Sequence, residues 1–148
     1  MVKFKKIGVL AVSVILTVAS VLNVYAGTGS GDIKRNGITV GKWENSMSKQ
    51  YANASTYEKD GGKKYYKNTY MTVNVQSIYP YGGSHAYYVN ATLNVNETGS
   101  HGNRAYADKS IPTTEYGTSA YTKHVIMIEG TAYTPEYPNG TSNVVRPD

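Results

Sequence analysis

The chain has 148 residues, a formal net charge of +5 and no cysteine. That length admits one domain of ordinary size, and the missing cysteine excludes a disulfide framework, a thiolate metal site and a cysteine nucleophile. Fifteen tyrosines against one tryptophan and one phenylalanine favour strands over helices.

Residues 1–26 read as an export signal. Lys3, Lys5 and Lys6 form a positive n-region, residues 7–22 are apolar, and Val24-Tyr25-Ala26 places small residues at −3 and −1 of a cleavage point before Gly27. Three of the fifteen basic residues fall in this leader, so the remainder carries +2 and gives no case for a nucleic-acid partner. No later apolar run is long enough to span a membrane. A short lysine-rich leader suits a bacterial exporter, and the expected location is extracellular, free or associated with the cell wall.

Residues 27–31 are Gly/Ser-rich and are expected to be a flexible tail, with a single domain over 32–148. Residues 37–44 read as the first strand, Ile38 and Val40 on one face. Trp43 has the opposite parity, so either a bulge at Gly41 returns the indole to the core or it lies on the other face. Residues 49–57 are a weaker strand, alternating Gln50, Ala52, Ala54 and Thr56 against Lys49, Tyr51, Asn53, Ser55 and Tyr57, and the alternative for these small residues is a helical turn. Asp60-Gly61 supplies the positive φ that a tight hairpin needs, so residues 58–63 are expected to project as a hairpin tip.

The strongest pattern lies in residues 70–79 and 87–96. Met71, Val73 and Val75 alternate with Thr72, Asn74 and Gln76. Tyr87, Val89, Ala91, Leu93 and Val95 alternate with Tyr88, Asn90, Thr92, Asn94 and Asn96. This period of two puts one face of a hairpin on a core and the other in water, with the turn at Pro80-Tyr81-Gly82-Gly83-Ser84-His85. Residues 97–103 are a polar loop, and 104–109 a short strand with Ala105 and Ala107 inward. Residues 119–133 read as one strand. Its centre, Val125-Ile126-Met127-Ile128, is apolar on both parities and predicts cover on both faces, with Gly130 marking a bulge. Six or seven such strands predict an all-β protein, a small antiparallel β-sandwich or, as the alternative, a partly open β-barrel.

The catalytic inventory is thin. His85, His101 and His124 lack the spacing of a helical zinc site, no Gly-x-Ser-x-Gly elbow occurs, and the carboxylates are scattered. No enzyme activity, metal or cofactor is expected. The distinctive cluster is Lys63-Lys64-Tyr65-Tyr66-Lys67, cations interleaved with rings that can stack on sugars and pair with acidic groups. A second cluster, Tyr81, His85 and Tyr88, surrounds the Gly-rich turn, a composition found in recognition loops. Lysines on an edge and tyrosines paired across strands would produce the first pattern without any ligand.

With the leader of residues 1–26, these eight residues predict a secreted protein that acts by binding an extracellular or cell-envelope partner: a glycan, an anionic wall polymer or a surface protein. In outline the chain resembles small, cysteine-free, exported bacterial β-sandwich proteins, bacteriocins of the lactococcin type among them. No motif carries over from them position by position. The resemblance implies the alternative reading, a secreted antibacterial or toxin-like protein acting on another cell's envelope.

Overall fold

A computed structural model describes residues 27–79, 82–137 and 143–147, and the leader expected over residues 1–26 lies outside them. Nine strands form two antiparallel sheets, with no helix and no closed barrel among the described residues. The first sheet runs β1 (Gly27–Arg35), β2 (Ile38–Met47), β3 (Tyr51–Glu58) and β6 (Arg104–Ser110), in the order β1-β2-β3-β6. The second holds β5 (Ser84–Leu93), β4 (Tyr66–Ser77), β7 (Glu115–Ile128) and β8 (Thr131–Tyr133), in the order β5-β4-β7-β8. A short β9 (Asn143–Val145) also pairs with β7, against Ala120–Thr122.

The expected hairpin is present as β4 and β5, with Met71 opposite Val89 and Val73 opposite Tyr87. Met71, Val73 and Val75 are buried against Met47, Ala52, Ala54, Ala107, Ile111, Ala120 and Val145 from both sheets. The alanines of β3 and β6 leave room for the larger side chains of β4, which is how two twisted sheets interdigitate. On β5 the parity holds but the burial is partial. Leu93 is buried, whereas Tyr87, Val89 and Ala91 are half-covered, because β5 is an edge strand. Val95 lies beyond the strand end and is exposed, against expectation.

Four expectations are corrected. Residues 27–31 are not a loose tail but half of β1, where Gly27 to Gly31 pair with Met47 to Trp43. Glycines at 29 and 31 fit there because the Asn45 and Trp43 side chains occupy the space a Cβ would take. Residues 58–63 are not a hairpin tip. β3 and β4 belong to different sheets, and the segment crosses between them. The single strand expected over 119–133 is a β7–β8 hairpin. Glu129 (φ 51°) and Gly130 (φ 80°) form its two-residue turn, the pair of positive φ values that a right-twisted hairpin requires. Within β7, Ile126 and Ile128 are buried, but Val125 is half-buried and Met127 exposed, so only one face is covered.

Trp43 is in the core, and a bulge puts it there. Ile33 pairs with Gly41 and Lys34 with Thr39, which leaves Val40 as the extra residue, one position before the expected Gly41. Downstream of it Gly41, Trp43, Asn45 and Met47 all face inward. Trp43 joins Ile33, Ile126 and Ile128 in a second apolar cluster.

A polar belt separates the two clusters. On β2, Asn45 sits between Trp43 and Met47; on β7, Thr122 and His124 sit between Ala120 and Ile126. Asn45 Nδ2 donates to Thr122 Oγ1 (2.7 Å), which is 3.1 Å from His124 Nε2. His124 Nδ1 is 2.9 Å from Thr56 Oγ1, which is 2.7 Å from Thr69 Oγ1, and Thr69 donates to the Ala105 carbonyl (2.6 Å). The belt thus ties β2, β7, β3, β4 and β6 across the two layers. Trp43 stacks on the His124 ring at 5.0 Å, and the His124 backbone N–H donates to the Tyr137 hydroxyl in the gap between β8 and β9. Burial lowers the His124 pKa to about 3, so the ring is neutral.

Candidate binding surface

Lys67 is the residue for which the binding expectation fails outright. It shares the inward parity of Met71, Val73 and Val75 and has no solvent exposure. Its Nζ donates to Glu58 Oε1 (2.8 Å) and to the Tyr65 carbonyl (2.8 Å), while the Tyr65 N–H donates to the same Glu58 oxygen (2.6 Å). A sealed charge of this kind survives only when paired and hydrogen-bonded. Its role is to pin the crossover from β3 to β4, and it is unavailable to a ligand.

The other members of that cluster separate by exposure. Lys63 and Lys64 are exposed in the crossover, and Tyr65 and Tyr66 are half-buried. Lys64 Nζ lies 5.4 Å from the Tyr65 ring centre, within cation–π range. Tyr66 opens β4 opposite Met127, and a shallow depression there is lined by Arg35, Lys64, Tyr65, Tyr66, Met127 and Glu129. Arg35 is committed to Glu129 at 3.0 Å, which raises its already high pKa, whereas Lys64 has no acidic partner among the described residues.

The second cluster does not join the first. His85 pairs with Val75 while Tyr66 opens the same strand, β4, so the two lie about 30 Å apart at roughly 3.3 Å per residue. His85 is exposed, meets the Tyr87 ring edge-on, and has Nε2 3.5 Å from Glu115 Oε1. The Tyr87 hydroxyl donates to Glu115 Oε2 (2.8 Å), and this bond, with some burial, raises its pKa. Lys109 Nζ lies 3.8 Å from the centre of the Tyr87 ring. Tyr81 falls outside the described residues. Tyr88 is 83% exposed on the outer face of the second sheet.

The outer faces of the two sheets differ in what their polar groups do. On the first sheet they satisfy one another. Glu44 accepts from Ser55 (3.1 Å), Tyr57 (3.4 Å) and Arg104, and the Arg104 guanidinium also covers the Tyr57 ring at 4.2 Å. Tyr51 and Tyr106 hydroxyls are 2.8 Å apart, and Asn53 donates to Ser46 (2.8 Å). Burial, followed by the contact with Tyr106, pushes the Tyr51 hydroxyl well above its ordinary pKa.

On the second sheet much of the outer face is open. Its strand register sets side chains in rows: Tyr88, Thr72 and Tyr121 in one; Asn90, Tyr70 and Lys123 in the next; Thr92, Asn68 and Val125 in a third. Tyr70, Tyr88, Tyr121 and Lys123 are all exposed. Tyr88 and Tyr121 flank Thr72 from the two neighbouring strands, about 10 Å apart. Tyr70 is the diagonal neighbour of both, at roughly 7–8 Å. The side chains of Tyr88, Tyr121, Asn90 and Lys123 make no hydrogen bond among the described residues. Asn68 is nearly sealed beneath Tyr70, whose hydroxyl accepts from Asn68 Nδ2 (3.1 Å), and Asn68 Oδ1 has no partner among the described residues.

The arrangement therefore offers a platform of three rings with amide, hydroxyl and ammonium groups between them. It ends at Tyr66 and the exposed Lys63 and Lys64. Tyr88 and the Lys64–Tyr66 stretch are legible in the sequence; Tyr121 and Lys123 become part of the site only through the pairing of β4 with β7. Their signal is the alternation of Tyr121 and Lys123 with the inward Thr122 and His124. Thr122, His124 and Thr56 have the make-up of a nucleophile, a base and an orienting group, but each is fully buried. No group of three His, Asp or Glu among the described residues is placed to hold a metal ion. Comparison with known proteins returns no matching family model, no similar curated protein and no matching solved structure.

Proposed function

We propose that this chain is an exported bacterial β-sandwich protein that binds an extracellular glycan of the cell envelope along the outer face of its second sheet. The observation that carries the reading is the contrast between the two outer faces. The first sheet pairs most polar groups of β2, β3 and β6 with one another, whereas the second, beyond its Asn74–Ser119 and Gln76–Tyr116 pairs, presents Tyr70, Tyr88 and Tyr121 with Asn90, Thr72 and Lys123 unengaged or exposed. Tyrosine brings large, stiff, amphipathic area at low entropic cost, and its ring faces suit the C–H faces of sugars while its hydroxyl and the neighbouring amides reach sugar hydroxyls. Lys63 and Lys64, at the Tyr66 end, add the positive charge that an anionic wall polymer would meet. The leader-like residues 1–26 support the extracellular location.

The test is sedimentation of the secreted protein with purified cell walls, before and after extraction of their anionic polymers. Replacing Tyr70 and Tyr121 together by Ala is expected to weaken association at least tenfold, equivalent to about 1.4 kcal/mol. Lys63→Gln with Lys64→Gln should weaken it only at low salt. Exposed charges are screened as the Debye length falls from about 10 Å at 0.1 M to about 3 Å at 1 M. Association unchanged by the tyrosine pair would remove this face from consideration.

A further inference from the structure

Every sheet edge has to be reconciled with water and with other chains, and the edges here are managed unequally. β1, at one edge of the first sheet, carries Asp32, Lys34 and Arg35; β6, at the other edge, carries Arg104, Asp108 and Lys109. On the far side of the second sheet, β8 and β9 are three residues each. Charges and short length are the usual protection against edge-to-edge pairing.

β5 has neither. Over ten residues, Ser-His-Ala-Tyr-Tyr-Val-Asn-Ala-Thr-Leu, it holds no Lys, Arg, Asp, Glu, Pro or Gly, and among the described residues its backbone pairs only with β4. It touches β6 of the other sheet through side chains, such as Lys109 over Tyr87, and not through a backbone ladder. A second observation comes from its inward residues. Tyr87, Val89 and Ala91 point at the core yet remain half-covered, so apolar surface persists along the same edge.

We infer that β5 pairs with β5 of a second copy of this chain, antiparallel and about a two-fold axis, joining the two second sheets into one. The strand's own sequence favours this occupant. A two-fold perpendicular to the sheet keeps outward residues on the outward side, so residues directly opposite must share parity. The register centred on Tyr88 then sets Tyr88 against its own copy on the outer face. On the inner face it sets Tyr87 against Val89 of the second copy, an aromatic with a β-branched residue. Such pairs stabilise a ladder, and β5 itself places no like charges opposite each other; the nearest cation is Lys109 of β6, held over the Tyr87 ring. The half-covered Tyr87 and Val89 gain cover from each other. The inference is independent of what the outer face binds; it makes that face continuous across two copies.

The absence of cysteine allows a direct test. Tyr88→Cys introduces the only thiol at a position so exposed that folding is not at stake. Opposed residues in an antiparallel pair have Cβ atoms about 4.5–5.5 Å apart, close to disulfide reach. Under mild oxidation Tyr88→Cys is expected to form a covalent dimer at least tenfold faster than Tyr121→Cys, an exposed control on the same face but away from the edge. The unmodified protein should show a concentration-dependent doubling of mass in sedimentation equilibrium. Tyr88→Lys, which would oppose two ammonium groups, should shift it to monomer without changing its circular dichroism. A wild-type protein that stays monomeric at high concentration, or equal crosslinking at 88 and 121, would overturn the inference. So would a dimer untouched by Tyr88→Lys.

Discussion

Lys67→Met separates the two roles a lysine could have in the Lys63–Lys67 stretch. Lys67 is fully buried, and its partner Glu58 keeps only 10% of its side chain accessible. Removing the ammonium leaves Glu58 with the Tyr65 N–H as its one remaining side-chain hydrogen bond among the described residues. Breaking a buried pair in this way costs about 3–5 kcal/mol, because the surviving charge stays out of water without compensation. With an m-value of about 1.5 kcal/mol per molar, the urea midpoint should fall by about 2–3 M. Adding Glu58→Gln to Lys67→Met removes the orphaned charge while keeping an acceptor for Tyr65, and most of the lost stability should return. The assay is equilibrium urea unfolding followed by the fluorescence of Trp43. A Lys67→Met protein within about 0.5 kcal/mol of the parent, the range of ordinary surface changes, would refute the reasoning. It would return Lys67 to the exposed surface.

The His124 ring sets a pH dependence. Its folded pKa is lowered to about 3, while an unfolded histidine titrates near 6.5. Between those values the unfolded state holds a proton that the folded state refuses. The stabilisation is therefore complete above about pH 6.5 and is lost as pH falls, by up to about 1.4 kcal/mol per pH unit. Urea midpoints taken from pH 7 down to pH 4 should show that slope, and His124→Gln should flatten it while lowering stability at pH 7. The β5 parity gives a paired prediction: Leu93→Ala should cost about 2–5 kcal/mol as a buried truncation, and Thr92→Ala should stay within about 0.5 kcal/mol. Equal effects in thermal melts would show that the strand is out of register.

The β4–β5 hairpin is legible in the sequence because its apolar residues keep strict alternation, and burial of one face leaves no other way to satisfy it. The first half of β1 is not legible. Glycines and small polar residues carry no periodicity, and they form a strand because β2 supplies a ladder and because Trp43 and Asn45 need glycine-sized neighbours. The β3-to-β4 crossover reads as a hairpin because Asp60-Gly61 serves a positive φ in either setting; Gly61 does adopt one, at 68°. What distinguishes the two is strand pairing far along the chain. Glu129 hides the β7–β8 turn in the same way, since a non-glycine at positive φ gives no compositional cue.

The candidate site divides along similar lines. Tyr88 is legible as outward from its own strand's alternation. Lys67 is four residues before Met71 and therefore on the same face, a parity signal that its charge obscures. Its burial depends on Glu58, which lies on a different sheet. The platform of Tyr70, Tyr88 and Tyr121 is assembled by three strands whose order no local pattern encodes. The polar belt is hidden for a related reason: Thr56, Thr69, Thr122 and His124 are tolerated inside because they bond to one another across the layers, and Asn45 joins them through Nδ2 while its Oδ1 has no partner among the described residues.

The most direct measurement is the chemical-shift footprint of isotope-labelled protein on addition of solubilised cell-wall glycan. The expected changes fall on Tyr70, Thr72, Tyr88, Asn90, Tyr121 and Lys123 of the second sheet's outer face and extend towards Tyr66. Tyr51, Tyr57 and Tyr106 on the first sheet should not move. A footprint on that opposite face, or none at saturating glycan, would contradict the proposed binding surface.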